Sequence, residues 1–322
     1  MSGCSLSGPN LSVGLRSACY SGLESILGDV QGERQPCPTG VDSLAHSERD
    51  ELPIVMTDPS IRRRRVAVVT GGGHGIGRAT CSALAREGYA VHCIDIDDDA
   101  GLEAIADVLS VGGDGAFHHA DFSVVGSATA AIESVLEASG GILDVVVNNA
   151  FRYERGRSLT SMSEDDWNAD LRLLLLSYAE VVRASVTALL PGASIVNLAS
   201  IRGFFAGVDW GSYSVAKAAV AQLTRALAAE LAPRQVRVNA VAPGAIATAR
   251  MQALPEVARD RLASVIPLGR LGDPSEIADV ITFLVSERAR YMTGQVVIVD
   301  GGLALPLQLD SLDMYDAWRE SL

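Results

Sequence analysis

The 322-residue sequence contains no C-x-x-C pair, no H-E-x-x-H and no internal repeat. Nor does it contain an apolar run of membrane-spanning length, which takes about 20 residues; its richest stretch, Leu171 to Leu176, falls far short. Basic charge is scarce: 26 Lys and Arg against 39 Asp and Glu leave a net charge of −13. That argues against nucleic acid and anionic membranes as partners, since both demand basic patches. Arg62 to Arg65 is a short basic run and reads as a solvated lead-in to a strand. The five cysteines (Cys4, Cys19, Cys37, Cys81 and Cys93) are odd in number and show no pairing pattern, which points to a reducing, cytoplasmic setting. His118 and His119 are adjacent, but without ligand spacing around them no metal site is expected.

Residues 1–60 are rich in Ser, Gly and Pro and have neither a helical nor a strand period. They lack a signal peptide's apolar core, and Glu24, Asp29 and Glu33 fit poorly with a transit peptide. They read as a disordered extension, with Met56 as an alternative start. From Ile61 onward strand and helix patterns alternate without a break. Strands are expected near 65–70, 90–95, 115–120, 143–148, 193–199, 236–241 and 295–299. Helices are expected near 75–87, 99–110, 124–139, 163–190, 212–231, 255–263 and 274–286. Such alternation gives an α/β fold, a doubly wound seven-stranded parallel sheet with helices on both faces, because parallel strands need crossover connections. Residues 61–303 form one domain in this reading, followed by a tail, 304–322.

The most informative stretch runs from Arg65 to Gly88. An apolar run (Val66, Ala67, Val68, Val69) leads into Gly71, Gly72, Gly73, His74, Gly75, Ile76 and Gly77, and a helical pattern comes next. Strand, glycine turn and helix together cradle a pyrophosphate. The missing Cβ atoms allow close backbone approach, and the new helix offers unpaired N–H groups. Eighteen residues after Gly77, Asp95 ends a second apolar run, where a carboxylate meets the adenosine ribose of a dinucleotide. It would repel a 2′-phosphate, and His74 supplies no fixed counter-charge, so NAD is favoured over NADP. Ile96 comes after Asp95, and Asp121-Phe122 after the third strand is placed to meet the adenine.

A second group of residues carries chemistry. Ser200 lies just after the apolar strand ending at Leu198; Tyr213 lies thirteen residues on and Lys217 four further, within a helical run. A spacing of four puts Tyr213 and Lys217 on one helix face. There an ammonium can draw a phenol pKa, ordinarily about 10, toward the range of a general acid or base. A serine hydroxyl beside them can hold the reacting oxygen.

With these residues in place, the chain from about Ile61 to Leu303 resembles the short-chain dehydrogenase/reductase family in its single-domain, Rossmann-fold form. The matching pieces are Thr70–Gly77, Asp95, Asn148-Asn149-Ala150, Ser200, Tyr213-x-x-x-Lys217, Asn239 through Pro243-Gly244 to Thr248, and Met292–Gly302. The resemblance implies an NAD-dependent oxidoreductase that interconverts a secondary alcohol and a ketone. In it Tyr213 exchanges the proton, Lys217 binds the nicotinamide ribose and Ser200 holds the substrate oxygen. Cofactor contacts are implied for Gly71, Gly73, His74, Gly75, Ile76, Gly77, Asp95, Ile96, Asp121, Phe122, Asn148, Ala150, Tyr213 and Lys217. Pro243, Gly244, Ile246 and Thr248 would position the nicotinamide.

Two positions depart from the family pattern. Phe151 stands where glycine is usual. Leu174, seven residues past Trp167, stands where an asparagine usually helps hold a water in the proton relay. Leucine cannot hydrogen-bond, and Ser177 is the candidate substitute. The Leu171–Leu176 run reads as a helix buried on all sides, packed in this family against a partner subunit, so a homo-oligomer, tetramer or dimer, is expected. The substrate pocket is expected to use Phe151, Arg152, Tyr153, Arg202, Phe204, Phe205, Trp210 and Met251. The aromatics suit a flat apolar body, and the arginines would suit an acidic one if they are not simply solvated. The rival readings are a non-catalytic NAD-binding protein, made credible by Leu174, and a sugar-nucleotide epimerase or dehydratase. The latter is disfavoured because no sizeable domain comes after Gly302. An enoyl reductase is disfavoured by the short Tyr-to-Lys interval.

Overall fold

A computed structural model describes residues 63–152, 158–205 and 210–305. The expected N-terminal extension, Met56, Tyr153 and all but the first residues of the tail lie outside the described residues.

The apolar runs pair as a seven-stranded sheet. The strands are β1 (Arg65–Thr70), β2 (Tyr89–Asp95), β3 (Asp114–His119), β4 (Leu143–Asn148), β5 (Leu189–Leu198), β6 (Arg237–Pro243) and β7 (Val296–Val299). Their order is β3-β2-β1-β4-β5-β6-β7, and every pairing is parallel. The helices are α1 (Gly75–Arg86), α2 (Asp98–Ser110), α3 (Ser127–Ser139), α4 (Glu164–Leu171), α5 (Ser177–Ser185), α6 (Gly211–Leu231), α7 (Ala249–Gln252), α8 (Glu256–Ser264) and α9 (Pro274–Val285). They cover both faces. One core packs Val66, Val68, Val146 and Ile195 with α3, α5 and α6, and the other packs Ala67, Val69, Val145 and Val196 with α1, α2 and α9. Alternate residues of one strand thus serve opposite faces, as the strand period requires. Strand order reverses between β1 and β4, and in such sheets the crevice beyond the strand C-termini at that point is where ligands bind.

Two expectations are corrected in the second half. β5 begins at Leu189 rather than near 193, because Leu189 already pairs with Leu143 ahead of an irregularity in the ladder. The helix expected over 163–190 is not uniform: a π-helical turn, Arg172–Leu176, separates α4 from α5, which ends at Ser185. The leucine run is also not buried on all sides within the chain. Leu174 is fully buried, whereas Leu176 is 49% exposed, because the helix lies with one side against the core.

Candidate active site

The turn after β1 and the end of β2 are locked together. Gly73 N–H donates to the Asp95 carboxylate at 2.8 Å, Asp97 N–H donates to its other oxygen at 3.1 Å, and Gly71 N–H donates to the Ile94 carbonyl at 2.7 Å. Each Asp95 oxygen keeps a second lone pair for a ligand hydroxyl. A Cβ on Gly77 would run into the Gly71 carbonyl oxygen, so only glycine lets α1 start this close beneath the turn. The first turn of α1 has no acidic residue and no side-chain cap, and His74 turns away to Asp97 at 3.1 Å. An uncapped helix start above close-packed glycines, with a carboxylate alongside, fits the pyrophosphate and ribose of a dinucleotide.

Asn149, one residue beyond β4, braces this turn. Its Nδ2 donates to the carbonyls of Thr70 at 2.9 Å and Gly71 at 2.8 Å, and the backbone N–H groups of Asn149 and Ala150 donate to the Thr70 hydroxyl. Asn148 is fully buried and donates to Asn197 at 2.9 Å, so its side chain ties β4 to β5. On the far side, Ile96 is exposed and Phe122 is buried. The Asp121 carboxylate accepts the Ser123 hydroxyl and N–H; these bonds, with the Arg152 guanidinium nearby, hold it below the usual carboxylate range.

Ser200, Tyr213 and Lys217 are all buried and come from adjoining elements: Ser200 from the turn after β5, the others from one face of α6. The Ser200 turn can lie on α6 because residue 203 is glycine. A Cβ there would sit 2.8 Å from the Ala218 nitrogen and 2.9 Å from the Lys217 carbonyl oxygen. Lys217 is 1% exposed, and its Nζ donates to the Leu198 carbonyl at 2.6 Å and to the Tyr178 hydroxyl at 3.3 Å. It lies 5.8 Å from the Tyr213 ring centroid and 5.7 Å from that of Phe151. Burial pushes its pKa down to about 7. Leu174 packs against Tyr213 and Ala216. The Ser177 hydroxyl, the candidate substitute for it, donates to the Leu173 carbonyl at 2.6 Å, one turn back on its own helix.

The residues expected on the nicotinamide side come after β6. Gly244 N–H donates to the Val299 carbonyl at 3.0 Å, and Ile246 is a core residue bridged to Gly272. Thr248 sits with its methyl group against Gly75, which closes the loop onto the glycine turn. Around Tyr213, Trp210 and Phe151 place their ring centroids at 5.5 and 6.3 Å, and Arg202 stacks on Trp210 at 4.8 Å. Phe204 and Phe205 are exposed on the rim, and Met251 is half-buried in α7. Among the described residues no cluster of His, Cys, Asp and Glu has the arrangement of a metal site, and no helix is long and apolar enough to cross a membrane.

Three contributors were not singled out from sequence. Asn149 lay inside a quoted motif but without a role, Gly203 is one glycine three residues after Ser200, and Tyr178 is hidden behind the leucine run. Each of the three roles depends on an element distant in the chain, so no local pattern carries it.

Comparison with known proteins places this geometry among relatives. A family model described as "Enoyl-(Acyl carrier protein) reductase" matches residues 71–304. The chain is 37% identical over 258 residues to a (3R)-3-hydroxyacyl-CoA dehydrogenase of Canis lupus familiaris, covering 77% of this chain and 99% of that protein. It is 37% identical over 243 residues to the 3-oxoacyl-[acyl-carrier-protein] reductase FabG of Thermotoga maritima, covering 75% and 98%. Among solved structures, a short-chain dehydrogenase/reductase from Serratia marcescens superimposes with a TM-score of 0.71 at 29% identity, covering 74% of this chain and 98% of that one. The angucycline C-6 ketoreductase LanV with bound NADP gives 0.70 at 29%, covering 75% and 96%.

Proposed function

The chain belongs to the short-chain dehydrogenase/reductase family, and from that premise we propose how its own residues carry the reaction. It is an NAD(P)-dependent oxidoreductase that interconverts an alcohol and a ketone. Tyr213 is the general acid and base: it protonates the carbonyl oxygen in reduction and takes the hydroxyl proton in oxidation. Lys217, held one helical turn away, would stabilise the phenolate and hold the nicotinamide ribose. Ser200 holds the reacting oxygen as charge develops on it. The bound nicotinamide supplies or accepts the hydride. The observation that carries this reading is the placement of Lys217, a fully buried amine fixed 5.8 Å from the Tyr213 ring.

The preferred cofactor is NAD, because the Asp95 carboxylate at the end of β2 would repel a 2′-phosphate and His74, turned to Asp97, would supply no counter-charge. Gly71, Gly73, Gly75, Ile76 and Gly77 would hold the pyrophosphate, Asp121 and Phe122 the adenine side, and Thr248 the nicotinamide side. The substrate is a flat, mainly apolar ketone or alcohol seated among Phe151, Trp210 and Tyr213, with Phe204 and Met251 on its rim. A 3-oxoacyl thioester is the second reading, supported by the names of the dehydrogenase and reductase relatives. Residues 61–303 are the catalytic domain of a cytoplasmic homo-oligomer, and the half-exposed Leu176 helps form its interface.

The test is Tyr213→Phe. Assayed with cyclopentanone and acetoacetyl-CoA, each with NADH and NADPH, the variant should lose about 10³-fold or more in turnover while binding cofactor normally. Turnover within tenfold of the parent would overturn the assignment.

A further inference from the structure

Lys217 is an amine almost wholly removed from bulk solvent. At 1% exposure it must satisfy its donors from protein and ligand, and two are taken by the Leu198 carbonyl at 2.6 Å and the Tyr178 hydroxyl at 3.3 Å. The first comes from the backbone of β5 and no side-chain change removes it. The second comes from a phenol on α5 that is itself 1% exposed and packed among Ala199, Val220, Ala240 and Ala242. The Tyr178 ring lies 5.1 Å from Nζ, so the ammonium meets both the ring and its hydroxyl. The Leu174 side chain, one turn earlier and packed on Tyr213, has no polar group to offer.

We propose that the Tyr178 hydroxyl is the positioning group that seats the Lys217 ammonium beside Tyr213. This rests on the roles given to Tyr213 and Lys217 above. Burial favours the neutral amine, and a hydrogen-bond acceptor at Nζ favours the charged one. Among the described residues, the titratable groups facing Lys217 are Tyr178 from α5 and Tyr213 from α6; β5 presents a carbonyl, and Phe151 presents a ring. Burial drives the Tyr178 phenol far above its ordinary range, so it stays neutral across the working pH and acts as a fixed dipole. Without its hydroxyl the amine would lose its proton more easily, and the Tyr213 phenolate would lose the cation that stabilises it.

The experiment is an ultraviolet difference titration of phenolate in the NAD-bound protein, comparing the parent, Tyr178→Phe and Tyr213→Phe. The component missing from Tyr213→Phe belongs to Tyr213. In Tyr178→Phe that component should move up by about one pH unit, the effect of one lost hydrogen bond to a charged group, with NAD affinity within about twofold. An unmoved component overturns the inference while leaving the Tyr213 assignment standing. No component missing from Tyr213→Phe overturns both. Should Tyr178→Phe fail to fold, the double variant Tyr178→Phe/Lys217→Met decides. A fold regained when the amine is removed supports the pairing, and a fold still lost shows that Tyr178 serves packing alone.

Discussion

The Asp95 carboxylate accepts the backbone N–H of Gly73 at 2.8 Å, so the acid that ends β2 also shapes the turn that ends β1. The side chain proposed to select the cofactor therefore also sets the turn geometry. Asp95→Ala should raise the NADH KM at least about tenfold, from lost charge-assisted hydrogen bonds to ribose. It should narrow the NADH-over-NADPH preference and lower stability by about 1–2 kcal/mol. Steady-state kinetics with both cofactors, together with urea denaturation of the apo-protein, check the two effects separately.

Gly203 gives a second test, of the Ser200 turn. A Cβ at residue 203 meets α6 backbone at 2.8–2.9 Å, and backbone cannot swing aside as a side-chain tip can. Gly203→Ala should cost about 1–3 kcal/mol of stability. It should also lower kcat more than it raises the cofactor Kd, because the displaced hydroxyl belongs to Ser200. An equal loss in kcat and cofactor binding would count against the assignment.

The Arg172–Glu180 pair joins the π-helical turn to α5, with Glu180 buried and also accepting from Thr129. Burial pushes the Glu180 carboxyl up, but the Arg172 guanidinium and the Thr129 hydroxyl outweigh it and hold the pKa below the usual range. Glu180→Ala strands a largely buried guanidinium and should destabilise by about 3–5 kcal/mol. Arg172→Met/Glu180→Ala should recover part of that loss, and a double-mutant cycle by thermal denaturation measures the coupling.

Acid stability should report on His92. Its ring is buried on β2 and faces His118 Nε2 at 2.9 Å; burial, reinforced by His118, pushes its pKa down to about 4. In the unfolded chain it would titrate near its ordinary value of about 6.5. Between those values the unfolded state binds the extra proton, so stability is full above about pH 6.5 and falls as pH drops toward 4. The loss should be on the order of 3 kcal/mol, and His92→Gln should flatten the slope of Tm against pH across that window.

Much of this was legible because separate signals agreed. Alternating apolar runs placed all seven strands, and the glycine turn, Asp95 and the Tyr213–Lys217 interval each lie where chain-local rules put them. Tyr178 was not legible. Leucine occupies five of the six positions from 171 to 176, which gives no polar contrast from which to read a face, and the π-helical turn then shifts the phase of α5. Ser177, chosen for its hydroxyl, is instead turned back onto Leu173. Such a back-bond is the common fate of a serine within a helix. The brace role of Asn149 was missed because it depends on β1 and β4 being neighbours, a fact of topology that no local pattern states.

The wide turn at Arg172–Leu176 makes length, as well as composition, part of the design of this helix. Five residues wound this way turn the helix about as far as four at the ordinary step of about 100° each, so losing one leucine and restoring ordinary winding would leave the downstream faces nearly where they are. One residue inserted between Ser177 and Tyr178, in the ordinarily wound part, would instead turn Tyr178 off Lys217 and Glu180 off Arg172 together by about 100°, so that insertion should inactivate the protein where loss of one leucine and leucine-to-methionine swaps are absorbed.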